Sequence, residues 1–118
     1  MNSIPDIEER ALYKLIDRLG SNGDVFNKQL GMVRRISREC TGVGVYVNFE
    51  LEDGAPVSRE VVDAEVEGVF ARSERCSEEI GFILFIRSGL VRSLEAYTYS
   101  DTYPSYVECD YSLYCEDG

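Results

Sequence analysis

The stretch IGFILFIRSGLVRSLEAYTY, residues 80–99, decides the fold. Its first seven residues, Ile80, Gly81, Phe82, Ile83, Leu84, Phe85 and Ile86, carry no polar side chain. A run of that length and composition reads as a strand covered on both faces. Arg87, Ser88 and Gly89 interrupt it, and Gly89 is free to take positive φ in a tight turn. From Leu90 to Tyr99 a second strand follows, in which Leu94, Ala96 and Thr98 alternate with Glu95, Tyr97 and Tyr99. That alternation predicts one packed face and one face of acid and phenol.

The segments around this hairpin point the same way. Residues 4–19, IPDIEERALYKLIDRL, space Ile4, Ile7, Ala11, Leu12, Leu15, Ile16 and Leu19 three and four apart, which predicts an amphipathic helix lying on the sheet. Ser3 suits the N-cap, Pro5 the first turn and Gly20 the stop, while Asp6, Glu8 and Glu9 complement the positive end of the helix. Residues 25–30 fit either a helical turn or the approach to a strand. Residues 32–40 read as a strand whose Arg34, Arg35 and Arg38 mark a solvated edge, where charge blocks unwanted pairing. Val43, Val45, Val47, Phe49 and Leu51 alternate with Gly44, Tyr46, Asn48 and Glu50, giving a half-buried strand. Residues 61–71 form another, with Val62, Ala64 and Val66 opposite Asp63, Glu65 and Glu67, and with a bulge expected at Gly68. Helix followed by about five strands means α+β: one domain over 1–118, with an N-terminal helix (4–19), a mainly antiparallel sheet (31–99) and an acidic, Tyr-rich tail (100–118). Pro104 keeps a regular helix out of the start of the tail, and residues 107–113 could add a short strand.

Charge is unevenly spread. The 118 residues carry a formal net charge of −10. Residues 1–40 hold seven Lys/Arg against six Asp/Glu, whereas residues 41–118 hold five against sixteen. Beyond Arg92 there is no basic residue. This balance argues against nucleic acid, whose phosphates require clustered Lys and Arg. It suits a basic protein partner, whose approach the field would accelerate. No stretch has the roughly 20 apolar residues of a membrane-spanning helix, and no secretion signal is visible, so the expected location is cytoplasmic, with no membrane partner. Cys40, Cys76, Cys109 and Cys115 form no C-x-x-C pair. Reduced thiols are therefore expected, with a Cys109–Cys115 bridge as the alternative.

The sequence holds no His. That removes the commonest general base, the commonest metal ligand and the Ser-His and Cys-His nucleophile pairs. No P-loop is present, and Gly42-x-Gly44 lacks the third glycine of a dinucleotide site. The row Asp63, Glu65, Glu67 reads as a solvated face, with a divalent cation or a small ligand as the alternative use. Neither catalytic residues, cofactor nor metal are expected, and the chain does not read as an enzyme. A binding surface remains: Glu95, Tyr97 and Tyr99 on one strand face, followed by Asp101, Tyr103, Tyr106, Glu108, Asp110 and Tyr111. Tyrosine offers large contact area at low entropic cost, and neighbouring carboxylates can pair with Arg and Lys of a partner.

The segments TGVGVYVNF (41–49), GFILFIRSG (81–89) and LEAYTYSDTYP (94–104) resemble a pattern found in small bacterial immunity proteins. These accompany polymorphic toxins, including those of contact-dependent growth inhibition. The resemblance spans about residues 31–104 and its motifs are strand and turn motifs, so it carries over no functional residue. It implies a cytosolic antidote that binds and blocks one cognate toxin, expected to be a basic nuclease.

Overall fold

A computed structural model describes residues 4–100 and 102–116. Helix α1 (Asp6–Asp17) leads through a 3₁₀ turn (Gly20–Gly23) into a second helix, α2 (Asp24–Leu30). Strands β1 (Val33–Cys40), β2 (Gly44–Leu51), β3 (Ala64–Arg72), β4 (Ile80–Arg87) and β5 (Leu90–Tyr97) follow, then a one-turn helix α3 (Tyr106–Cys109) and strand β6 (Ser112–Cys115). The expected α+β architecture is present, with six strands instead of five because the tail supplies the last. All pairings are antiparallel, in the order β1-β2-β5-β4-β3-β6.

The 80–99 hairpin is its centre. Ser88 and Gly89 form the two-residue loop between β4 and β5, both with positive φ (54° and 74°). Two left-handed residues match the twist of the flanking strands, as in a type I′ turn. The bulge expected at Gly68 is present: the β3–β4 register shifts between Val66 and Val69, and Gly68 has φ +100°. β3 begins at Ala64, three residues later than the alternation from Val61 suggested, and Val62 is exposed. The ambiguous 25–30 segment is helical; Ser3 lies outside the described residues, but α1 starts at Asp6 with Pro5, not Ser3, at the N-cap position and no side-chain cap, and it ends at Asp17, before the expected stop at Gly20.

One face of the sheet is the core. Val45, Val47, Leu84, Ile86, Leu94 and Ala96 point toward Ala11, Leu12, Leu15 and Ile16 of α1 and Phe26 of α2. Burying each Val, Leu, Ile or Phe among these stabilises by about 1.5–3 kcal/mol. Two polar side chains sit fully buried beside them. Gln29 on α2 donates from Nε2 to Pro56 O (2.7 Å) and Gly89 O (2.9 Å) and accepts at Oε1 from Val91 N (2.8 Å). Glu8 on α1, expected to complement the positive end of the helix, is fully buried and accepts two bonds from Arg38 of β1 (2.6 and 2.9 Å). β1 is the edge strand its charges indicated, but Arg38 is turned inward on this pair while Arg34 and Arg35 engage Glu50.

The other face corrects the expectation that β4 is covered on both sides. Ile83 and Phe85 are only half-buried, and no helix lies over that face among the described residues. Apolar residues there are shielded by cross-strand neighbours alone, which hydrophobicity along β4 cannot distinguish from cover by a second layer. The tail also departs from expectation in its cysteines. Cys76, in the loop before β4, forms a disulfide with Cys109 of α3 (Cα–Cα 5.6 Å), whereas Cys40 and Cys115 are free and exposed. The two partners are 33 residues apart and meet only because the tail folds back on the domain. No helix among the described residues is long and apolar enough to cross a membrane.

Candidate functional site

Three rows of side chains cross the uncovered face, each set by ladder register. The first runs Gly44, Tyr97, Gly81, Phe70, Tyr114 across β2, β5, β4, β3 and β6. The second runs Glu39, Tyr46, Glu95, Ile83, and the third Ser37, Asn48, Ser93, Phe85, Glu65. Glycines flank Tyr97 on both sides: a Cβ on Gly81 would come within 2.3 Å of the Tyr97 ring, and one on Gly44 within 2.4 Å of Ala96 O. The ring therefore lies flat across β4 in space that only glycine leaves.

Aromatic contacts hold the surface together. Tyr99 stands 95% exposed with its ring edge-on to Tyr97 at 5.8 Å. Phe70 stacks on Tyr114 at 5.5 Å, Arg72 sits 4.9 Å over the Tyr114 ring, and the Tyr114 hydroxyl donates to Glu79 (2.7 Å). Tyr46 and Phe85 lie 6.4 Å apart. Such rings provide rigid contact area with one polar tip each.

The electrostatics of the face are negative at its middle. Glu67 and Glu95 flank Tyr97 and are in no ion pair among the described residues, whereas Glu65 is paired with Arg87 (3.4 Å). Burial, followed by Tyr99 and Glu67, raises the Tyr97 hydroxyl above its ordinary range. Burial and a hydrogen bond with Glu95 raise Tyr46 likewise. Both phenols thus remain neutral donors beside carboxylates, a mixture that suits guanidinium and ammonium groups.

A cleft of about 660 Å³ opens at one end of the sheet, lined among others by Leu51, Val57, Leu90, Arg35, Arg92 and Asp53. It exists because the β2–β5 ladder stops at Asn48–Ser93, although β2 continues to Leu51 and β5 starts at Leu90. Gln29 occupies the Val91 N–H on the core side. Its rim carries both signs of charge, with Glu50 already shared by Arg34 and Arg35.

The single surface expected from residues 95–111 is divided. Glu95, Tyr97 and Tyr99 lie on the uncovered face as the alternation indicated. Tyr103, Tyr106 and Tyr111 turn to the helix side of the sheet. The Tyr106 hydroxyl donates to buried Glu8 and meets the Tyr103 hydroxyl at 2.5 Å, while Tyr111 is buried and donates to Glu78 O (3.1 Å). Burial, as the largest cause, raises both Tyr103 and Tyr106. These three rings fasten the tail, and their side chains are occupied in doing so. Glu108 and Asp110 are exposed on and beside α3, away from Tyr97, and Asp101 lies outside the described residues. Tyr46, Glu67, Phe70, Phe85 and Tyr114 belong to the surface and were missed, because membership depends on strand order. The signal available for Tyr46 was its place on the polar side of β2.

The acidic row of β3 is dispersed. Asp63 accepts from the Ser88 N–H (3.1 Å), Glu65 faces Arg87 and Glu67 faces Tyr97. No group of three or more potential ligands able to hold a metal ion occurs among the described residues. Comparison of the chain with protein-family models, with curated proteins and with solved structures returned no match.

Proposed function

We propose that this chain is a binding protein whose uncovered sheet face docks on a basic protein, and that the partner is a toxin which the chain neutralises. The observation that carries the reading is Glu67 and Glu95 around Tyr97, which make no ion pair among the described residues, inside an aromatic sheet face with no helix of the described residues over it. An interface of this kind takes its energy from buried aromatic anchors and its partner choice from charge. The excess of acid after residue 40 supports a basic partner. The resemblance to immunity proteins supports a toxin, a basic nuclease being the class whose phosphate-binding surface such a face would occlude. The same reading places the encounter in the cytoplasm, where the Cys76–Cys109 pair meets a reducing thiol pool.

The test is co-purification with the protein encoded beside this one, at low and high salt, using the wild type and Glu67→Lys, Glu95→Lys and Tyr97→Ala variants. A salt-sensitive complex is expected, weakened about tenfold by each charge reversal and more by Tyr97→Ala. A complex indifferent to all three changes would refute the surface. Absence of any complex, with a neighbour harmless to cells, would refute the function.

A further inference from the structure

We infer that the Cys76–Cys109 disulfide is a redox latch on the tail, and that it controls how much of the uncovered face is present. The inference rests on the binding reading above for its consequence, but its structural part stands alone. Beyond Cys109 the chain has one left-handed residue, Asp110 (φ 48°), then buried Tyr111, then the four-residue strand β6. β6 is an edge strand whose strand partner among the described residues is β3 alone, with a few further contacts to α1, and it brings Tyr114 into the first row, stacked on Phe70. The covalent tie thus lies three residues from an element that supplies one end of the binding face.

Without the tie the tail keeps the β3–β6 ladder, the packing of Tyr111 and Leu113 on the core, the Phe70–Tyr114 stack and a set of polar bonds. Tyr103 N donates to Gly42 O (3.0 Å), the two tyrosine hydroxyls run to Glu8, and Tyr111 reaches Glu78 O. Ser73 Oγ donates to Cys109 O, Glu116 N donates to Gly68 O (2.8 Å) and Arg18 to Glu116 O (3.3 Å). α3 is a single turn, too short to hold itself together. Terminal segments held by exposed or edge hydrogen bonds open before the core does. The hairpin and β2, whose bonds are buried, do not depend on the tail.

Access favours reduction at one sulfur. Cys109 is 4% exposed, whereas Cys76 is half-buried in the loop before β4. The thiolate of a dithiol attacks Cys76 Sγ, the Cys76–Cys109 bond breaks, and Cys109 leaves as a thiolate that takes up a proton. The second thiol of the dithiol then releases Cys76. Two electrons pass to the protein and the dithiol becomes a disulfide. Reduced, the face keeps Tyr46, Glu95 and Tyr97 but loses the fixed position of Tyr114, so binding weakens without being abolished.

The experiment is hydrogen exchange on the full chain carrying Cys40→Ser and Cys115→Ser, which prevents scrambling, with and without dithiothreitol. Exchange of residues 105–116 is expected to rise about tenfold or more on reduction, with less than about a twofold change in residues 44–51 and 80–97. A Cys76→Ser/Cys109→Ser variant should show the same pattern without reductant. Unchanged exchange in 105–116 would overturn the latch. Equal loosening of the core, or failure of the variant to fold, would also overturn it, since the bridge would then staple the whole domain. Affinity for the co-purified neighbour, measured in both redox states, should fall about tenfold on reduction. An open tail with unchanged affinity would overturn the control of binding. If neither state binds, the proposed function fails while exchange still decides the latch.

Discussion

Gln29→Leu should be among the most damaging single substitutions in this protein. The side chain keeps its approximate volume and loses only its amide. Three hydrogen bonds disappear, to Pro56 O, Gly89 O and Val91 N. The consequences differ group by group. Gly89 O still accepts from Ser58 N (3.0 Å), so it is not orphaned. The Val91 N–H is buried where the β2–β5 ladder has ended, and loses its partner. Pro56 O loses the amide donor but is only partly buried. A buried polar group left unsatisfied costs about 1–3 kcal/mol, with the lower end appropriate to Pro56. The two groups together cost about 2–4 kcal/mol, and better transfer of leucine than glutamine into the core returns part of this, leaving a net loss of about 1–3 kcal/mol. Against a domain stability of about 5–15 kcal/mol this is a large fraction. Urea unfolding followed by circular dichroism measures it, with a Tm lowered by about 4–12 °C at roughly 4 °C per kcal/mol. Exchange of the Val91 amide should accelerate locally under conditions where the variant is still folded. A loss below about 1 kcal/mol with Val91 still protected would refute the assignment of Gln29 as the link between α2, the 52–58 loop and the hairpin turn.

Other perturbations address the remaining parts of the molecule. Glu8→Ala leaves the Arg38 guanidinium without its carboxylate. Because the Arg38 side chain is 34% exposed it can reach water, so the expected cost is about 2–3 kcal/mol, below the full penalty for a buried pair, as read by urea unfolding. Tyr103 and Tyr106 have hydroxyls raised by burial above the ordinary value near 10. Their contribution to stability is complete below pH 10 and is lost as pH rises beyond it, because the unfolded chain releases those protons first. Stability should fall by about 2 kcal/mol between pH 10 and 11, and a Tyr103→Phe/Tyr106→Phe variant should flatten that slope. Gly81→Val should dislodge the Tyr97 ring, and with it the proposed partner binding, more severely than Gly31→Ala, whose new Cβ meets nothing closer than 3.4 Å.

Much of this was legible in the residues because it is local. A seven-residue apolar run, a Ser-Gly turn and the alternation of residues 94–99 depend on backbone geometry within a few positions, so the hairpin and its acid-and-phenol face followed directly. The Gly68 bulge and the amphipathic α1 were legible for the same reason. What the sequence could not contain was which surfaces face each other. Glu8 was legible as an acid at the positive end of α1, but not its pairing with Arg38 of β1, and nothing in residues 25–30 pointed to Gln29 as the acceptor for the Val91 N–H. The tyrosines of residues 95–111 are neighbours in the chain, yet the turn after β5 sends Tyr97 and Tyr103 to opposite sides of the sheet, while strand order brings Tyr114 back beside Phe70. The sequence by itself determined the elements, their polarity and the sign of the charge, because these are sums over near neighbours. Only the tertiary structure decided the composition of the uncovered sheet face, the pairing of Cys76 with Cys109 and the two buried polar links, because each joins groups far apart in the chain through a register that no local pattern encodes.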